Sequence, residues 1–260
     1  AEALGGAAAL YFPKGTYRID SLVSHSDYVG WLTILGDGPD VSTIDCRSAS
    51  GGLSITFNNI VYSVQVRNLR FVGGIAGTGD LLKITFPETS SWSEWNVQIL
   101  HCNFQSRTTT DYFTSGIHLV HCWSARIDNV LIKGRNALPY IGDGLLIDGA
   151  STGPFISSCR FVGLDIAIHV GAAGAAGGTE GIQINKCTVV PARIGVLVDH
   201  DLGEPHVSIL DCHMSCFDRD IELRAASQVF ISNCDLFNSS LQVGASNTFY
   251  YIYILNDVSG

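Results

Sequence analysis

Three aspartates, Asp143, Asp148 and Asp165, crowd one stretch of a 260-residue chain in which only 15% of residues are charged. His118 precedes them in GIHLVH and His169 follows them in DIAIHV. Paired carboxylates can hydrolyse a glycosidic bond: one protonates the leaving oxygen, the other attacks or activates water. The two must stand ~5–5.5 Å apart for retention of configuration and ~6.5–9.5 Å apart for inversion. The acid of such a pair needs a raised pKa. Asp143, Asp148 and Asp165 are therefore the candidate catalytic residues. His118 and His169 are candidates for orienting a carboxylate or binding a sugar hydroxyl. Glu180, Asp199 and Glu222 add nearby hydroxyl acceptors. Trp92, Trp95, Tyr112 and Tyr140 lie in or beside loops, and aromatic faces stack on sugar C–H surfaces. Each residue also has a plain structural reading: an aspartate as a turn residue, a histidine as merely exposed, an aromatic as a loop seal or subunit contact. A β-elimination would use a different set, a base and a cation beside a uronic acid. Lys83, His118 and Arg224 are the residues available for it.

The elements that must position these groups follow from a repeat. One eight-residue pattern recurs: VQVRNLRF from Val64, VQILHCNF from Val97, ARIDNVLI from Ala125, PFISSCRF from Pro154, IQINKCTV from Ile182, VSILDCHM from Val207 and VFISNCDL from Val229. The starts are 33, 28, 29, 28, 25 and 22 residues apart. The third position is Val or Ile, the fifth is polar, and the sixth is Cys in five copies. Each copy predicts two short strands around a tight bend, which a polar residue such as Asn or Asp turns in the left-handed region. A third strand follows each copy: 81–86, 116–121, 144–149, 165–170, 193–198, 220–225 and 240–245, all alternating with period two. Three short strands per repeat and no helix predict a right-handed parallel β-helix, whose coils stack ~4.8 Å apart.

Alternation also sorts the third strands. With Leu82/Ile84, Ile117/Leu119, Leu145/Ile147, Ile166/Ile168, Ile194/Val196 and Ile221/Leu223 pointing inward, one outward column is Lys83, His118, Leu146, Ala167, Gly195 and Glu222. The other is Thr85, Val120, Asp148, His169, Leu197 and Arg224. Asp148 and His169 are then expected side by side on adjacent coils, with Asp143 and Asp165 at the strand starts. Loops 105–115, 133–143, 87–96, 171–181 and 199–206 flank these strands, so a groove is expected over them. Insertions gathered on one face of a solenoid usually mark the binding face.

Composition removes several classes. The net charge is −9 with no Lys/Arg run, which is a poor footprint for nucleic acid. No stretch approaches the ~18 apolar residues of a membrane helix. Eight Cys in 260 residues is too sparse for a disulfide-stapled scaffold. Cys102, Cys159, Cys187, Cys212 and Cys234 share one inward position, with Leu69 and Val130 in the other two copies. They read as an interior ladder of small apolar side chains, although disulfides between ladder neighbours stay open. A line of thiols with apolar neighbours does not form a tetrahedral metal site, and no metal or cofactor is expected.

The N-terminal AALYFPKGTYRID (8–20), with Pro13, Gly15, Thr16 and Tyr17, and then LTILGDG (32–38), with Gly36, Asp37 and Gly38, resembles the opening of the pectate-lyase-like superfamily. With the coils, the resemblance covers residues 8–245. It implies one β-helix domain over 1–260, with 1–7 the end of a capping helix and 246–260 a C-terminal extension, in a chain cut from a longer protein. Within the superfamily the sequence looks most like bacteriophage tailspikes and capsule depolymerases. That resemblance implies a homotrimer on a virion tail or outside the cell that binds and cleaves bacterial surface polysaccharide. The Arg-centred site of the calcium-dependent pectate lyases is not found. Of the polygalacturonase-type motifs, Gly142-Asp143-Gly144 and Leu164-Asp165 are present, while Asn-Thr, the second Asp and Gly-His-Gly are missing. Two alternatives stand beside the glycosidase: a non-catalytic carbohydrate-binding or structural β-helix, and a lyase or epimerase on uronate polymers.

Overall fold

The computed structural model describes residues 6–59, 62–73, 77–88, 97–135, 137–171, 179, 181–199, 206–224, 228–237, 241–243 and 251–255. These residues form a parallel β-helix with no helical segment among them. The first strands of successive coils make one ten-stranded sheet, from Ala8–Phe12 to Tyr251–Leu255. The second and third strands make the other faces. They fuse where Thr188–Val198 and His213–Leu223 run through the corner as single eleven-residue strands. Each coil pairs in register with the next; Val64, Val97 and their neighbours give four matched partners.

The tight bend is where the repeat predicts it. Asn68, His101, Asn129, Ser158, Lys186, Asp211 and Asn233 all have φ between 51° and 57°. The residue after each bend turns inward: Leu69, Cys102, Val130, Cys159, Cys187, Cys212 and Cys234 are all buried. The five ladder thiols are free, as are Cys46, Cys122 and Cys216, so no disulfide forms between rungs. Ladder thiols donate to the carbonyl two residues back, as Cys159 does to Ser157 (3.1 Å). Burial pushes the Cys46 and Cys102 thiols up to about 12, which keeps them as neutral core side chains. Aromatic stacks continue the interior, with Phe57 on Phe86 at 4.5 Å and Phe71 on Phe104 at 4.9 Å.

The N-terminal motif has a mechanical reason. Asp37 accepts from the Tyr11 hydroxyl and from the Lys14 amide (2.8 Å), tying the first strand to the turn that follows it. Tyr17 closes the same turn by donating to the Pro13 carbonyl (2.9 Å). A Cβ on Gly36 would sit 2.3 Å from the Asn68 carbonyl oxygen of the next coil, so only glycine fits.

One expectation about the third strands is corrected. Strict alternation makes Ile166 and Ile194 inward residues, but the chain turns a corner just before the third face. There two consecutive residues face inward, the first of them small: Gly116 and Ile117, Gly144 and Leu145, Ala167 and Ile168, Gly195 and Val196. A Cβ on Gly144 would lie 2.5 Å from the Ala167 carbonyl oxygen of the next coil. The alternation therefore changes phase at the corner. Ile166 and Ile194 point outward, where they form a small buried cluster of their own with Leu197.

Candidate functional site

The corrected register rebuilds the outer face. Ahead of the corner runs a column of Asp80, Ser115, Asp143, Ile166, Ile194 and Arg219. Beyond it runs Lys83, His118, Leu146, His169, Leu197 and Glu222. Val120 and Asp148 belong to a third column. His169 thus stands on Leu146 and not beside Asp148, because the phase change moves it by two positions.

This face brings together a group that the sequence reading named in part. His118 Nδ1 donates to Asp80 Oδ2 at 2.8 Å, and Ser115 Oγ donates to Asp80 Oδ1 at 2.6 Å. His118 Nε2 faces Asp148 Oδ2 at 3.9 Å. The other oxygen of Asp148 accepts the Gly149 amide at 2.7 Å, which fixes its orientation. Burial works against a charged His118, but its contacts with Asp148 and Asp80 outweigh that and hold its pKa above the ordinary histidine value. Burial likewise works against a charged Asp80. Hydrogen bonds from His118 and Ser115, with the charges of His118 and Lys83, still hold its carboxyl below the usual range. Asp80 and Lys83 line a depression of about 430 Å³, completed by Leu22, Ser50, Ser54, Thr56 and Thr85.

Asp143 is also paired: His169 Nδ1 donates to its Oδ2 at 2.8 Å. Asp165 is not on this column. It stands one residue ahead, beside Arg193 on the next coil, and receives a two-pronged bond at 2.5 and 3.0 Å. Glu222 is clasped by Arg219 (2.9 Å) and Arg224 (2.7 Å), and Arg224 also holds Asp199 (2.6 Å). The late coils therefore spend their carboxylates on arginines. Tyr112 lies against Gly77 near the first coils of the face, and its carbonyl accepts from the Thr78 amide (3.0 Å). Tyr140 reaches the far end, 5.5 Å from Phe217. Trp92, Trp95 and Glu180 lie outside the described residues.

Asp80 and Ser115 were not singled out from sequence. The signal was present: Gly79-Asp80 precedes its third strand as Gly142-Asp143 precedes its own. Among the described residues no group of three metal-ligating side chains converges, and no helix is long and apolar enough to cross a membrane.

A parallel β-helix with carboxylates and histidines on the outer face of its third strands defines the class of protein. The chain belongs to the family described as rhamnogalacturonase A/epimerase, pectate lyase-like, whose model matches residues 1–215. A search of curated proteins finds no match. Among solved structures, ORF18 of Geobacillus virus E2 is similar, with a TM-score of 0.62 at 12% identity over 95% of this chain and 52% of that one. The catalytic domain of a GH87 alpha-1,3-glucanase, seen in complex with nigerose, gives a TM-score of 0.56 at 14% identity over 95% of this chain and 50% of that one. At these identities the likeness is one of fold. The chain spans about half the length of these two solved structures.

Proposed function

We propose that the chain is a polysaccharide-cleaving β-helix, an endo-glycoside hydrolase that works on the outer face of its third strands. The observation that carries this reading is the placement of one imidazole, His118, between two carboxylates, 2.8 Å from Asp80 and 3.9 Å from Asp148, at the edge of a polar depression. This reading expects the ~6.5–9.5 Å separation of inverting pairs between Asp80 and Asp148, which lie on either side of the ring. Asp80, kept ionised, takes the proton of the attacking water. His118 holds a proton and feeds it to Asp148, which gives it to the leaving glycosidic oxygen. The hydroxyls of Ser54, Thr56 and Thr85 are suited to sugar hydroxyls. Asp143 with His169 extends the face. Asp165 drops out of the chemistry, because it stands off the Asp80–Asp143 column and is held in a two-pronged ion pair by Arg193.

The substrate class and setting follow from the tailspike resemblance: a bacterial surface polysaccharide, met by a trimer on a virion tail or outside the cell. A lyase reading has one observation in its favour, since Lys83 shares the depression with Asp80 and could neutralise a uronate carboxylate. The test is an assay of new reducing ends on a panel of rhamnogalacturonan, alpha-1,3-glucan and purified capsular polysaccharides, read in parallel in the ultraviolet. New ends without unsaturated product are expected. Unsaturated product would replace the hydrolase with the lyase, and no product from any polymer would leave a binding module.

A further inference from the structure

The group around His118 occurs twice. Asp80 lies one coil before His118, three positions ahead of its column partner Lys83. Asp143 lies one coil before His169, three positions ahead of its column partner Leu146. The Nδ1–Oδ2 distance is 2.8 Å in both. The third members also correspond. Asp148 pairs with the residue two beyond His118, namely Val120. Asp199 follows Val198, the partner of Val170, and so stands opposite the residue two beyond His169. Asp80–His118–Asp148 and Asp143–His169–Asp199 are thus the same constellation, repeated after two coils.

The copies differ at one contact. In the first, Asp148 stays within ion-pair distance of the imidazole. In the second, Asp199 accepts from Arg224 at 2.6 Å and makes no ion pair with His169. Arg224 is itself held by Glu222 at 2.7 Å. His169 Nε2 is buried and has no hydrogen-bond partner among the described residues. With Nδ1–H committed to Asp143, Nε2 is the ring nitrogen left to meet a ligand hydroxyl. Its column neighbours are Leu146, which is partly exposed, and Leu197, which is buried with Ile166 and Ile194.

We propose that the second constellation is a binding subsite, not a second catalytic centre, and that it holds the same polymer two coils away from the cleavage point. Arg224 binds one oxygen of Asp199 and leaves the other as a hydroxyl acceptor. His169 binds a sugar hydroxyl through Nε2, and the partly exposed Leu146 receives an apolar sugar face. Two coils span ~9.6 Å along the axis, so the ligand is a linear, extended polysaccharide running along the solenoid and gripped at two equivalent points. This inference rests on the hydrolase reading for its cleavage point, but the subsite itself is tested by binding.

The experiment is native electrophoresis through gels containing rhamnogalacturonan, alpha-1,3-glucan or capsular polysaccharide, with kinetics on any polymer that is cut. His169→Ala, His169→Gln and Asp199→Asn are compared with His118→Gln, each checked by thermal melting. If both His169 variants lose their fold, Asp199→Asn decides. At least one polymer is expected to retard the wild type, with the His169 and Asp199 variants raising apparent Kd about tenfold. On a cleaved polymer they raise KM about tenfold while kcat falls no more than about threefold, whereas His118→Gln collapses kcat. The subsite is overturned if no polymer retards the wild type, if these variants bind as the wild type does, or if His169→Ala lowers kcat as His118→Gln does. Retardation that depends on His169 without new reducing ends would sink the hydrolase and sustain the subsite. New reducing ends with unaltered binding by the variants would do the reverse.

Discussion

His118 and Asp80 come from coils separated by 38 positions in sequence and meet at 2.8 Å on the outside of the solenoid. The hydrogen bond is made by register alone: the coil of His118 stacks on that of Asp80, and the corner turns both side chains to the same face. The chemistry expected of the site depends on this contact and on its partner Asp148.

Asp80→Asn and Asp148→Asn each remove a proton-transfer partner while keeping the shape of the side chain. Proton transfer by a positioned group contributes ~10²–10⁴-fold. Each variant is expected to lower kcat for reducing-end release by at least about 100-fold, with an unchanged circular dichroism spectrum. A loss of less than about tenfold in both would remove the pair from the mechanism.

The pH profile follows from the two shifts. His118 keeps its proton above the ordinary histidine value of ~6.5. Its stabilising contribution is complete below that value and is lost as pH rises through the raised folded-state pKa. Asp80 contributes in the opposite sense, fully above the ordinary Asp value of ~3.9 and lost as pH falls through its depressed folded-state pKa. The melting temperature and kcat are both expected to fall on the alkaline side as His118 deprotonates. In His118→Gln the alkaline fall in melting temperature should flatten; an unchanged profile would assign it to another group.

Asp165 faces Arg193 in a part-exposed pair. Such pairs are worth ~0.2–1 kcal/mol. Asp165→Asn is expected to lower stability by no more than about 1 kcal/mol and to keep reducing-end release within about threefold of wild type. A hundredfold loss would return Asp165 to the catalytic set.

The thiols give a test of the interior. All eight are free and buried. None is expected to react with a soluble aromatic disulfide reagent in the folded protein, and all eight should titrate in denaturant. Cys187→Leu overfills a ladder position with a neighbour above and below, at a cost of ~1–3 kcal/mol in chemical denaturation. Rapid labelling of ladder thiols in the native state would contradict the sealed core.

The repeat made the coils legible, because position six carries Cys or an apolar residue and position five carries the bend. Both signals are local, and the backbone obeys them: Lys186 and Asn129 take the same left-handed angle although their side chains have nothing in common. The site was legible only in part. Asp143, Asp148, His118 and His169 were visible as residue types on alternating strands. Their pairing was not, because period-two alternation breaks at Gly144 and Ala167, where close packing between coils needs a small residue. A two-residue register error there moved His169 onto the wrong neighbour, and Asp80 was missed because it belongs to the column ahead of the corner. Nor does alternation reveal that Asp165 is spent on Arg193, since a lateral pair between coils depends on loop lengths that the repeat does not constrain.

The bend column has a use apart from the fold. Asn68, His101, Asn129, Ser158, Lys186, Asp211 and Asn233 share a left-handed backbone while their side chains vary from amide to hydroxyl to ammonium, with Asn129 bonded to His101 (2.7 Å) and Asn233 to Asp211 (3.2 Å) between rungs. They line one edge of the molecule at a pitch of ~4.8 Å per coil, away from the third-strand face. That edge is a rail of addressable positions. A fluorophore or tether attached at chosen rungs, such as Ser158 and Lys186, would report distances along the axis in whole steps.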